Sequence, residues 1–72
     1  MDAVQLGKLL REAYENAMKT EKVTMIHLFG IKFSDEISKS NISEIIAESG
    51  IHSTYRTELG KGLKLAKYVK LR

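Results

Sequence analysis

The chain has no cysteine and no proline, and only five of its 72 residues are glycine. The missing cysteine excludes a disulfide framework and a thiolate metal site, and it fits a reducing compartment. Nothing covalent therefore reinforces a chain whose length buries only about 60% of its extended surface. The core must be aliphatic, or a partner must complete it. With no proline and few glycines, helix breakers are scarce and helix is the default reading. No apolar run approaches the roughly 20 residues that span a bilayer; the longest, Met25 to Phe33, is interrupted by His27, Gly30 and Lys32. Asp2 stands where a secretory signal would carry basic residues, so no signal peptide is expected. The length implies one domain over residues 1–72. The expected location is the cytoplasm, with no membrane partner.

The net charge of +3 conceals an asymmetry. Residues 1–50 carry six basic and eight acidic side chains, whereas residues 51–72 set Arg56, Lys61, Lys64, Lys67, Lys70 and Arg72 against Glu58 alone. A basic end of this kind suits a polyanion, and it also suits a solvated tail; charge alone does not choose between them.

Helical periodicity is clearest at the start. Asp2 and Gln5 have capping-box spacing. Val4, Leu6, Leu9, Leu10, Ala13, Tyr14, Ala17 and Met18 then recur at helical intervals, predicting a helix over about residues 3–20. Val23, Ile26, Phe33 and Ile37 share a second face, with Met25, Leu28, Phe29 and Ile31 widening it, as in a central helix over about residues 22–38. Gly30 within it costs about 1 kcal/mol relative to alanine; it either admits a neighbouring helix or ends a shorter helix at Phe29. Ser40 and Asn41 interrupt the pattern, and Asn41 with Glu44 repeats the capping-box spacing. Ile42, Ile45 and Ile46 supply a short apolar face that stops at Ser49-Gly50. Ser53 is placed to cap a last helix carrying Tyr55, Leu59, Leu63 and Ala66 on one face. The end, Lys67 to Arg72, is compatible with helix, fraying or a short strand. The fold class is therefore all-α: a small four-helix domain with that strand as a possible addition.

The stretch with functional content is ISEIIAESGIHSTYRTELGKGLKL, residues 42–65. A short helix, a glycine turn and a longer basic helix resemble the helix-turn-helix superfamily, of the small bacterial or phage type, over about residues 41–66. The two preceding helices would be its scaffold. In this plan Gly50 takes the tight turn, Ile51 plugs between the helices, and Leu59 packs the second helix onto the first. Two positions depart from the family pattern. Ile46 stands four before the glycine, where a small residue is usual, with Ala47 next to it. Arg56 stands six after the glycine, where an apolar residue is usual, with Tyr55 just before it. A register shift in the turn would reconcile both.

The resemblance implies a recognition helix that presents its first residues to the major groove of duplex DNA. The side chains expected there are His52, Ser53, Thr54, Arg56 and Thr57, with Lys61 and Lys64 neutralising phosphates. It also implies a transcription-regulating role, often as a homodimer, because one helix reads few base pairs. The alternative is a protein-interaction or assembly module that docks through Met25, Leu28 and Phe29. No other chemistry is expected. His27 and His52 lie in different segments without metal-ligand spacing. Asp35, Glu36, Glu44 and Glu48 read as solvated helix charges with no acid–base partner. Gly60-Lys61-Gly62 matches no phosphate-loop spacing. The expectation is a non-enzyme with no cofactor, no metal and no small-molecule ligand.

Overall fold

The computed structural model describes residues 1–71. It contains α1 (Ala3–Asn16), a single 3-10 turn (Lys19–Glu21), α2 (Lys22–Lys32), α3 (Ser34–Ser38), α4 (Ile42–Ser49) and α5 (Tyr55–Leu65). Among the described residues there is no strand. Where a short terminal strand was conceivable, Lys67 and Tyr68 form a turn and residues 69–71 are irregular; Arg72 lies outside the described residues.

The capping box forms as read: Asp2 Oδ1 accepts from the Gln5 backbone N–H (2.9 Å), and Gln5 Oε1 accepts from the Asp2 N–H (3.1 Å). The helix ends at Asn16, earlier than its apolar periodicity predicts. Ala17 and Met18 are extended, and Lys22 supplies the reason. Its ammonium donates to the carbonyls of Tyr14 (2.6 Å) and Ala17 (3.2 Å) and sits 4.3 Å from the Tyr14 ring centroid. Carbonyls freed at a helix end need such a donor, and the cation over the ring fixes it there. Met18 is left 69% exposed.

The predicted helix over 22–38 is two helices, because Phe33 leaves helical geometry (φ −107°, ψ 25°). Gly30 is not the break. Phe33 packs on Phe29, ring centroids 4.6 Å apart, and the bend brings Ile37 to 1% exposure in the core. The core takes Leu6 and Leu10 from α1, Ile26 and Phe29 from α2, Ile37 from α3, Ile45 and Ile46 from α4 and Leu59 from α5. Burying each side chain contributes about 1.5–3 kcal/mol.

Two close helix pairs organise this core: α1 lies mainly on α4, and α2 mainly on α5. Both are glycine contacts. A Cβ on Gly7 would come 2.6 Å from Glu48 Cβ and 3.0 Å from the Ser49 nitrogen. A Cβ on Gly30 would come 2.9 Å from the Gly62 Cα, and one on Gly62 would collide with the His27 carbonyl oxygen. The last two helices therefore each rest on a different scaffold helix, backbone against backbone.

Candidate nucleic-acid interface

Asn41 caps α4, its side chain accepting from the Glu44 N–H (3.2 Å). The helix closes at Gly50, whose φ of +74° is the left-handed conformation expected of a turn glycine. Its N–H donates to the Ile46 carbonyl (3.2 Å) and lies 3.3 Å from that of Ala47. Ser49 is fully buried yet satisfied: its Oγ donates to the Ile46 carbonyl (2.6 Å) and accepts from the Ile51 N–H (3.3 Å). Arg11 reaches over from α1 to donate to the Ser49 carbonyl (3.4 Å). The turn is thus held from within by a serine hydroxyl and from outside by the scaffold. Ile51 is half-buried against the core, as its role as a plug requires.

The entry to α5 differs from expectation. Ser53 is not the cap. Thr54 already has helical backbone angles, and His52 supplies the acceptor: its Nδ1 takes the Thr54 N–H (3.1 Å), with Thr54 Oγ1 2.9 Å away. Ser53 contributes its backbone carbonyl to the Arg56 N–H (3.1 Å).

Tyr55 then takes the inward position at the start of α5. Its ring meets Tyr14 edge-on at 5.3 Å, and the hydroxyls are 3.4 Å apart. This hydrogen bond, with partial burial, holds the Tyr14 phenol above its ordinary range. With Tyr55 turned in, Arg56 stays exposed on the flank toward α4, where its Nη1 donates to Ser43 Oγ (3.0 Å). Leu59 and Gly62 are buried against the scaffold. Thr57, Lys61 and Lys64 are exposed on the side away from it.

The opposite flank carries Glu58, the one acid in α5. It is not free. His27 Nε2 lies 3.0 Å from Glu58 Oε1, and Lys61 Nζ lies 3.4 Å from the same oxygen. A carboxylate only accepts, so the imidazole must donate through Nε2. That bond foremost, aided by Lys61, holds the Glu58 carboxyl below the ordinary glutamate range. The charge of Glu58 is therefore tied to the α2–α5 seam.

A short helix ending in a left-handed glycine, a half-buried plug and a second helix with a basic outer side form a helix-turn-helix. Comparison with protein families agrees: the HTH-like domain family matches residues 2–72. The chain belongs to that family. No curated protein and no solved structure matches it.

Within this HTH-like domain, the register shift anticipated from the sequence occurs only after the turn. Before the turn Ile46 is 5% exposed and Ala47 is exposed, so the usual small position is filled by a buried isoleucine. After it, Tyr55 replaces the usual apolar residue one place early, and the loop spans residues 50–54 to allow this. All seven residues expected at an interface, His52, Ser53, Thr54, Arg56, Thr57, Lys61 and Lys64, are exposed. They form two groups. His52, Ser53 and Thr54 build the entry to α5, while Arg56, Thr57, Lys61 and Lys64 lie along the helix. Sequence reasoning missed Ser43, Ser49 and the His27–Glu58 pair. Only the last left a signal, as the lone acid in the basic end.

The apolar face assigned to the interaction-module alternative is largely covered. Phe29 is in the core, and Met25 and Leu28 are half-buried. Among the described residues, no helix is long and apolar enough to cross a membrane.

Proposed function

We propose that this HTH-like domain binds duplex DNA through α5, in a non-enzymatic, regulatory role in the cytoplasm. The observation that carries the reading is the charge arrangement of that helix. Arg56, Lys61 and Lys64 are exposed on it, and its one acid is engaged by His27 and Lys61 at the seam with α2. A polyanion approaching α5 meets cations and the Thr57 hydroxyl. Arg56 is the residue suited to a bidentate base or phosphate contact, and it reaches DNA by exchanging its bond to Ser43. The entry residues His52, Ser53 and Thr54 add hydrogen-bonding groups beside it.

The test is a binding isotherm on nonspecific and random-pool duplex DNA at two salt concentrations. Arg56→Ala should weaken binding by about 1–3 kcal/mol while the protein stays folded, because Arg56 is exposed. Lys61→Ala and Lys64→Ala should each reduce the salt slope by roughly one unit, with a smaller loss that is similar for all sequences. A wild-type protein without salt-sensitive affinity for duplex DNA ends this reading.

A second reading has a specific observation behind it. Leu65 at the end of α5 and Tyr68, Val69 and Leu71 after it are exposed apolar side chains, Tyr68 at 83%. A protein partner or a second copy of the chain covering them gives the assembly role. Concentration-dependent self-association without DNA is its signature.

A further inference from the structure

Four of the five glycines have a structural reason. Gly7, Gly30 and Gly62 stand where a Cβ would strike another helix, and Gly50 has positive φ. Gly60 has neither reason. Apart from its chain neighbours and the backbone of its own stretch of helix, no heavy atom lies within 4 Å of where its Cβ would stand, and its φ is not positive. It sits in the interior of α5, where glycine is the least favourable residue other than proline. The protein keeps a residue that weakens this helix and receives no packing in return.

Its surroundings supply a reason of another kind. On an α-helix the surface neighbours of a residue are those three and four places away. For Gly60 these include Arg56, Thr57 and Lys64, all exposed. Gly60 is therefore a bare strip of backbone in the middle of the cationic side of α5. Glycine is used where a ligand must come close to the main chain. We infer that Gly60 is the point of closest approach between α5 and the nucleic-acid duplex. The missing side chain lets the helix sink far enough for Arg56 and Lys64 to make contacts on both sides of it. This inference rests on the DNA-binding reading above. It adds that affinity is limited at this position by size and not by charge or stability.

The experiment is a size series at one position. Gly60→Ala and Gly60→Gln are both better helix formers than glycine, so both variants should melt at or above the wild-type temperature. Binding to the same duplex should fall in the opposite order: about tenfold weaker for Gly60→Ala, the scale of one lost contact, and weaker again for Gly60→Gln. Arg56→Ala is measured alongside. If wild type binds, Arg56→Ala weakens binding and both Gly60 variants bind within about twofold of wild type, α5 docks but not through Gly60, and this inference alone is overturned. If wild type does not bind duplex DNA, the functional reading falls and this inference with it. Loss of affinity together with a raised melting temperature supports it, because a structural defect lowers both.

Discussion

Replacing Gly62 with alanine adds one methyl group and should cost more than its size suggests. The new Cβ would collide with the His27 carbonyl oxygen, and it would lie 3.0 Å from the His27 Cα and 3.1 Å from the Gly30 Cα. All three atoms are backbone, so no rotamer change relieves the contact and α2 must move away from α5. Alanine gains about 1 kcal/mol of helix propensity at this site. Against it, overpacking of a well-packed contact costs about 1–3 kcal/mol. Separating the two helices also loosens Ile26 and Leu59, each at 0% exposure, and dispersion falls off steeply with a gap of a fraction of an ångström. Because every atom met is backbone, the upper end of that cost applies and the net effect is a destabilisation of about 2 kcal/mol; a domain of this size loses roughly 4–8 °C of melting temperature per kcal/mol. Thermal unfolding followed by circular dichroism measures it. Gly60→Ala is the internal comparison, since only the propensity gain acts there and the melting temperature should rise. A Gly62→Ala protein that melts at or above wild type would refute the glycine contact between α2 and α5.

Gly50→Val places a β-branched residue at φ +74° and should destabilise the domain by about 1–3 kcal/mol; an unchanged melting temperature means that the turn does not have this geometry. Glu58 should make stability depend on pH. Its folded-state pKa is depressed by the hydrogen bond from His27, so its contribution is present above the unfolded value of about 4.3 and disappears as pH falls through the lower folded value. The melting-temperature gap between wild type and Glu58→Gln should therefore be open at neutral pH and close in acid. A gap that stays open well below the unfolded value contradicts the assignment.

The elements with local signals were legible in the sequence, and those decided by tertiary contact were not. Asp2 with Gln5, Asn41, and Gly50 after Ile45-Ile46 are short-range features, and they mark the boundaries found. The early end of α1 was invisible because it depends on Lys22 folding back onto carbonyls of the preceding helix. The bend at Phe33 was hidden because Phe33 and Ile37 continue the apolar periodicity across it; the core position of Ile37 decides the bend. At the interface the exposed cations could be read from helical spacing. Which tyrosine or arginine turns inward could not, since Tyr14 lies in a different helix from Tyr55. For a similar reason Ser53 does not cap α5, and His52 instead braces the turn before the helix. Serine is the better cap by propensity, but the five-residue turn delivers the imidazole to the Thr54 N–H.

The pairing of α1 with α4 and of α2 with α5 has a consequence for how the chain reaches this structure. The two pairs interleave along the sequence, so a loop of roughly half the chain must close before either glycine contact forms. Neither α4 nor α5 finds its principal support in a sequence neighbour. Helices of eight and eleven residues are too short to persist alone in water. Residues 41–66 cut out as a peptide should therefore be mostly unfolded. Any single break between α2 and α4 severs both pairs at once, so no half of the molecule retains a complete pair. Folding of this small helical protein should accordingly be all-or-none, and slower than its helix content suggests, because distant contacts must form before local ones gain support.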